Sequence, residues 1–253
     1  MNAGPVLRLI DVEKTLDGRR VLDGVTMEVP RRRIMAIIGL SGAGKSLLLK
    51  HMIGLMKPDR GQVLLDGVDI NRLPRRELYK VRNRFGFLFQ NGALFDSLTV
   101  YENVAFPLRE KTETPEGEIR EKVIGILRKV GMEKAVGKFP DELSGGMVRR
   151  VALARAMVMD PEIILFDEPT TGLDPIIRNS ILHLIHRTYQ EHNVTMVIIS
   201  HDLPDIFQWC HHVAVVYDGR VVEAGTPEEI RNSGTPFVRQ LIEGDIDGPV
   251  HLM

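Results

Sequence analysis

GLSGAGKS, residues 39–46, restricts what this chain can be more than any other stretch does. It fits the pattern G-x-x-x-x-G-K-[ST], and its setting gives the pattern force. The apolar run RIMAIIG precedes it, and the helically spaced KSLLLKHMIGLM follows. A short continuous apolar run in that position reads as a buried parallel strand. Gly39, Gly42 and Gly44 let the backbone wrap so that its N–H groups point at phosphate oxygens. The helix beginning near Lys45 adds its positive dipole end. Lys45 supplies charge to the β- and γ-phosphates of a nucleotide, and Ser46 offers a hydroxyl to Mg²⁺. Ser41, Ala43 and Leu47 complete the candidate cradle.

The rest of the chain must build a scaffold around that loop. Residues 6 to 29 alternate like strands, broken by the turn signals Asp17-Gly18 and Asp23-Gly24. The helix after the loop reads as running up to Lys57-Pro58, and GQVLLDGVDI reads as a hairpin pair. EIILFDEP, VTMVIISHD and HHVAVVYDGRVVEAG read as three further buried strands separated by helices. The segment 92–160 lacks strand signals. In EGEIREKVIGILRKVGM the residues Ile119, Val123, Ile126, Leu127 and Val130 share one stripe. Alternating strands and helices predict an α/β fold: a nucleotide-binding core with a mostly parallel sheet, an N-terminal antiparallel β subdomain and an inserted α-helical subdomain. The expected division is one domain over 1–253, with its core in 1–91 and 161–230, the helical subdomain at 92–160 and a tail at 231–253.

Composition narrows the class. Lys plus Arg total 33 against 34 Asp plus Glu, so no global basic field favours nucleic acid. The single Cys210 rules out a disulfide framework and a cysteine zinc cage, and fits a reducing cytosol. The N-terminal residues show no secretory signal, and no apolar stretch approaches the roughly 20 residues of a spanning helix. His183 and His186 lack an acidic ligand in register, so they predict no metal site. Arg31-Arg32-Arg33 reads as a solvated turn, and His211-His212 as surface. Arg72, Arg75, Arg76, Lys80, Arg82 and Arg84 read as an exposed helix face, with contact to anionic lipid as the alternative.

Further chemistry gathers at strand ends. Asp167 closes the apolar run IILF and Glu168 follows at once. There Asp167 can hold a metal's hydration shell, and Glu168 can orient and deprotonate a water that attacks the γ-phosphate. His201 ends VIISHD, where a neutral imidazole can donate to the same phosphate. In LSGGMVRRVALARA, Ser144-Gly145-Gly146 heads a helix and offers N–H groups and a hydroxyl as a second phosphate-binding surface. One site needs one such surface. The second is therefore expected to serve nucleotide held by another copy of the chain.

With these residues the chain resembles the ATP-binding cassette (ABC) ATPases over about residues 6 to 230. GLSGAGKS resembles the Walker A motif of P-loop NTPases with a RecA-like core, and ILFDE resembles Walker B with its catalytic glutamate. LSGGM is similar to the family's LSGGQ signature, with Met147 in the last place. Gln90 in FLFQNGALF resembles the Q-loop glutamine, which touches Mg²⁺ and water. TGLD, ending at Asp174, resembles the D-loop, and His201 the switch histidine. The resemblance implies ATP and Mg²⁺ as cofactors, Ser46, Gln90 and Asp167 on the metal, and catalytic roles for Glu168, His201 and Gln90. Leu16 stands where many members stack an aromatic ring on adenine, which implies apolar contact without stacking.

FGFLFQNGALFDSLTVYENVAFPLRE, SGGMVRRVALARA, DEPTTGLDPI and the tail FVRQLIEGDIDGPV are similar to the subgroup that serves Mce-type lipid transporters, the Mla phospholipid system among them. That likeness implies a homodimer on the cytoplasmic face of the inner membrane, integral membrane permease subunits, a periplasmic Mce-domain protein in the same complex, and a small STAS-domain protein as a further binder. Phe95, Leu98, Val100, Tyr101, Val104 and Phe106 follow Gln90 closely. They form either a groove for a partner's helix or subdomain core. In the tail, Phe237, Val238, Leu241 and Ile242 suggest a short helix, with the last residues either disordered or reaching across to the partner subunit. Two rivals stand beside this reading: an importer ATPase for an amino acid, metal or sugar, and a soluble cassette of DNA repair or translation. The single cassette, the single cysteine and the absence of a long heptad run weigh against the second.

Overall fold

The computed structural model describes residues 4–250. In chain order the strands are β1 (Leu7–Leu16), β2 (Arg19–Val29), β3 (Ile34–Gly39), β4 (Arg60–Leu65), β5 (Val68–Asp69), β6 (Phe85–Leu88), β7 (Ile163–Asp167), β8 (Thr195–Ile199), β9 (His212–Tyr217) and β10 (Arg220–Gly225). The α-helices are α1 (Lys45–Met52), α2 (Arg75–Asn83), α3 (Val100–Lys111), α4 (Glu116–Lys129), α5 (Gly145–Met157), α6 (Pro175–His192), α7 (Pro227–Arg231) and α8 (Pro236–Glu243). No helix of the described residues is long and apolar enough to cross a membrane. The chain divides into two compact units, Met1–Arg82 with Thr195–Met253 and Asn83–Val194.

In the first unit, an antiparallel sheet runs in the order β2-β1-β4-β5. Asp17 (φ 49°) and Gly18 (φ 76°) form the tight β1–β2 turn, and Asp66 (φ 49°) with Gly67 (φ 82°) joins β4 to β5. Asp23-Gly24 is not a second turn. It lies inside β2, where the register with β1 shifts between the Val12–Val25 and Lys14–Leu22 pairs. A positive-φ glycine there absorbs a β-bulge. The same unit holds β10-β9-β3-β8, with β3 parallel to both β8 and β9. Every residue of β3 and β8 is buried, as expected of a strand covered on both faces. β10 departs from the buried-strand expectation: it pairs antiparallel with β9 and alternates half-buried and exposed, as a strand with one covered and one open face does. His211 is no plain surface residue either, since its Nδ1 accepts the Ile34 N–H at 3.1 Å.

α1 stops five residues short of Lys57, because Gly54 turns left-handed (φ 65°) against Leu78, leaving no room for a Cβ. α2 buries no residue. Its Arg82 donates to the carbonyls of Ile53 and Gly54, and the turn at Arg31 is tied to Asp66. Phe237 and Val238 of α8 are buried, and Phe237 stacks on Tyr217 with ring centroids 4.0 Å apart. Beyond α8 the Gln240 side chain receives the Val250 N–H and donates to the Asp245 and Val250 carbonyls, so the tail folds back on its own helix.

In the second unit, β6 and β7 pair in parallel, α5 packs on β6, and α3, α4 and α6 pack on α5. α4 buries Ile119, Val123 and Leu127 as the stripe requires, with Ile126 half-buried at its margin. α5 is buried on most of its circumference and rich in alanine, which permits close approach. At Gly86 of β6 a Cβ would stand 2.3 Å from the Ala156 carbonyl oxygen. α3 starts in a capping box, Thr99 with Glu102.

One buried titratable group makes the first unit acid-sensitive. His51 of α1 is fully buried, its Nδ1–H donating to the Leu47 carbonyl at 2.7 Å. Burial holds its pKa below the ordinary 6.5 against the opposing hydrogen bond to Leu47, with the Lys14 charge adding to the lowering and Asp59 opposing it. The unfolded chain therefore binds a proton in a range where the folded chain does not. The stability from neutral His51 is complete above pH 6.5 and is lost as the pH falls below it. Urea melts from about pH 7 down to about pH 5 will show this loss, and His51→Gln will flatten it.

Candidate active site

In the first unit the phosphate loop leaves β3 at a point where only glycine fits. Gly39 has φ 150°, and a Cβ there would lie 2.1 Å from the Val216 carbonyl oxygen of β9. Gly42 (φ 77°) and Gly44 (φ 92°) complete the turn for different reasons. A Cβ on Gly44 would meet Leu22 at 2.8 Å and the Val21 carbonyl at 3.1 Å, whereas Gly42 faces open space. Ser41 and Gly42 are exposed, Ala43 and Leu47 are buried, and Ser46 is half-buried. Lys45 is 5% exposed, with Nζ donating to the carbonyls of Gly39 at 2.9 Å and Leu40 at 2.7 Å. Gly44 begins α1 without a side-chain cap, so no side chain competes for the first-turn amides. An open glycine turn, uncapped helix amides and a lysine held along the loop fit a triphosphate.

His201 follows β8, the parallel neighbour of β3, so both loops leave the same sheet edge. The Ser200 N–H still donates to Ile37, and Ser200 Oγ accepts the Asp202 N–H at 3.0 Å, which turns the chain outward at His201. His201, Gly39, Leu40 and Ser41 line a cleft of about 450 Å³. Its far wall is Leu241–Gly244, the end of α8, which the sequence pattern did not place there. Leu16 is 38% exposed at the tip of the β1–β2 hairpin.

In the second unit the parallel pair β6–β7 likewise delivers its chemistry at one end. Asp167 is the last residue of β7 and is 8% exposed. Glu168 is left-handed (φ 50°), a conformation that costs a non-glycine residue on the order of 1–3 kcal/mol and persists where the surroundings fix it. Its Oε2 accepts Gln90 Nε2 at 3.2 Å and Thr171 Oγ1 at 3.1 Å. Gln90 thus donates through its amide nitrogen and keeps its carbonyl oxygen for another partner. Within this unit, that oxygen and the Asp167 carboxylate are hard donors of the kind Mg²⁺ prefers. Thr171 was missed in the sequence because a threonine in a TTGLD turn carries no spacing signal. Asp174 caps α6, accepting from the Ile176 and Ile177 N–H groups at 3.1 Å.

Ser144-Gly145-Gly146 forms a packed helix start. Ser144 Oγ accepts the Met147 N–H at 3.4 Å. A Cβ on Gly146 would stand 2.5 Å from Ile177 Cγ2, and one on Gly145 3.2 Å from Leu173. The two glycines let the residues around Asp174 lie directly on the start of α5. The cluster after Gln90 divides: Val100 and Val104 are core, while Phe95 and Phe106 remain exposed with ring centroids 4.8 Å apart. Among the described residues there is no group of three or more His, Cys, Asp or Glu that could hold a metal ion.

The fit at Gly146 is testable. Gly146→Ala is expected to destabilise the chain by about 1–3 kcal/mol through overpacking. Adding Ile177→Ala removes the clash and is expected to restore most of that loss in denaturant melts.

The sequence model of the family described as "ABC transporter" matches residues 22–171. The chain is 45% identical over 92% of its length to the intermembrane phospholipid transport system ATP-binding protein MlaF of Haemophilus influenzae, covering 88% of that protein. Among solved structures it is similar to CbiO1 of Clostridium perfringens, part of the ABC transporter complex CbiONQ, with a TM-score of 0.83 and 33% identity over 91% of this chain and 92% of that one. It is also similar to a dimeric ATP-binding cassette in a post-hydrolysis state with ADP and Pi, with a TM-score of 0.80 and 31% identity over 87% of this chain and 98% of that one. By sequence and by fold, this chain belongs to the ABC transporter family.

Proposed function

We propose that this chain is the ATP-hydrolysing subunit of a transporter that moves phospholipid between inner and outer membranes. The observation that carries the reading is the 45% identity, over nearly the whole chain, to a phospholipid transport ATP-binding protein. Two copies sandwich two ATP molecules. In each site one subunit supplies Lys45, Ser46, Gln90 and Asp167, and the other supplies Ser144 and Gly146. The likeness to a dimeric cassette supports this arrangement.

Lys45 and the loop amides bind and orient the phosphates. Ser46, Gln90 and Asp167 would hold Mg²⁺, which would supply charge to offset that of the phosphates. Glu168 takes the proton of the attacking water, and its left-handed backbone with two hydrogen-bond donors fixes where that carboxylate points. His201 donates to the γ-phosphate. Closure of the dimer then moves helices in the permease. Phe95 and Phe106, exposed aromatics close after Gln90, are the surface offered to a permease helix. A periplasmic Mce-domain protein and a small STAS-domain protein complete the proposed complex, which places this chain on the cytoplasmic face of the inner membrane.

Glu168→Gln is expected to keep ATP binding, trap a closed dimer and lower turnover by a factor on the order of 10²–10⁴. Lys45→Ala should abolish nucleotide binding, and Ser144→Arg should bind ATP but dimerise poorly. Purification of the native complex is expected to yield a permease with bound phospholipid. A permease carrying an amino acid, metal or sugar instead would overturn the cargo, and nucleic acid or ribosomes would overturn the transporter.

A further inference from the structure

α5 carries an arginine where a buried helix has little reason to keep one. Arg149 is 5% exposed and sits among Gly146, Val151, Ala152 and Leu153, all buried. Among the described residues no carboxylate pairs with it. Its fork instead reaches three oxygens on two segments. Nε donates to the Pro169 carbonyl at 3.1 Å, and Nη2 donates to the Thr171 carbonyl at 3.4 Å and to Asn91 Oδ1 at 3.3 Å. The desolvated cation lies below the usual arginine pKa range, consistent with a charge carried by neutral oxygens alone. A buried charge without a counterion is expensive, and oriented acceptors offset only part of that cost.

The two segments it joins carry the reacting groups. Pro169 and Thr171 flank the turn that follows Glu168, and Thr171 also donates to the Glu168 carboxylate. Asn91 follows Gln90 and opens a run of three left-handed residues, Asn91 (φ 63°), Gly92 (φ 79°) and Ala93 (φ 45°). Such a run does not hold itself. Gly92 lies against Val148 with no room for a Cβ, and the Gly92 carbonyl receives Arg155 Nη2 at 2.8 Å. Two arginines of one helix therefore hold this turn, and Arg149 alone also holds the turn after Glu168.

We infer that Arg149 is a positioning residue for hydrolysis: from the helix that begins at Ser144, it fixes the Gln90 segment and the Glu168 segment relative to each other. The buried side chain acts through the segments it bonds. It sets the Gln90–Glu168 contact, and so the direction in which Glu168 presents its carboxylate. A lysine cannot replace it, because one ammonium lacks the planar fork that spans three acceptors. The inference rests on the proposed role of Glu168 as the base.

The test uses the full chain with Mg-ATP. Arg149→Gln is expected to lower kcat by about 10- to 100-fold, the scale of a misplaced catalytic group, with KM for ATP within about twofold of the parent. Arg149→Lys should fall between the two. Asn91→Ala should lower kcat less, and Arg149→Gln combined with Asn91→Ala should be no slower than Arg149→Gln alone, because both act through one contact. Parental kcat in Arg149→Gln overturns the inference. So does parental kcat in Arg149→Lys, or strict additivity of Asn91→Ala with Arg149→Gln. A joint fall of kcat and ATP affinity with early unfolding also overturns it, by showing a merely structural role. Glu168→Gln at parental turnover rejects the base assignment itself, whatever Arg149 does. An inactive Glu168→Gln beside a fully active Arg149→Gln rejects the inference about Arg149 alone.

Discussion

The contact between Gly39 and the Val216 carbonyl governs the first unit. A parallel strand buried on both faces can place its chemistry only beyond its ends. β3 ends where a side chain of any size would strike β9. The chain must turn at that point, and the turn becomes the loop that delivers Lys45 and Ser46 to the head of α1. β8 runs parallel beside β3, so the loop carrying His201 leaves from the same edge. One steric constraint, multiplied by parallel pairing, thus gathers the phosphate loop, His201 and the end of α8 around a single cleft. This is the general site of ligands in open α/β sheets.

The second unit solves a related problem with charge in place of steric exclusion. Non-glycine residues at its candidate site sit in left-handed conformations that such residues seldom adopt: Glu168, and Asn91 and Ala93 on either side of Gly92. Hydrogen bonds from Arg149, Arg155, Gln90 and Thr171 keep these segments in place. All four donors are contributed by the unit itself, two of them by α5. The helix that begins at Ser144 is therefore also the element that holds the Gln90 turn. Asn103, fully buried, extends the same logic by bonding the Phe95, Leu98 and Thr99 backbone, which fixes the exposed Phe95–Phe106 pair.

Several elements were legible from residue type and spacing because their causes are local. The β1–β2 and β4–β5 hairpins follow from Asp-Gly pairs at positive φ, and α4 follows from its apolar stripe. Asp23-Gly24 shows where that reasoning stops. The same dipeptide makes a turn or a bulge, and the choice depends on whether the partner strand continues alongside. α1 ended early because Gly54 meets Leu78, a residue of α2 that local spacing does not bring near it.

By itself the sequence determined the nucleotide loop, the alternation of strands and helices, and Asp167, Glu168 and His201 as candidates, while Gln90 was legible only through the family resemblance. Those features are written in local pattern, in glycines that permit a backbone and in apolar runs that demand burial. Only the tertiary structure decided that Gly146 is needed against Ile177, that Thr171 and Gln90 share one oxygen of Glu168, that α8 walls the His201 cleft, and that Arg149 spans two loops. Each of these joins groups separated along the chain, and no single segment's composition or periodicity encodes the distance between them.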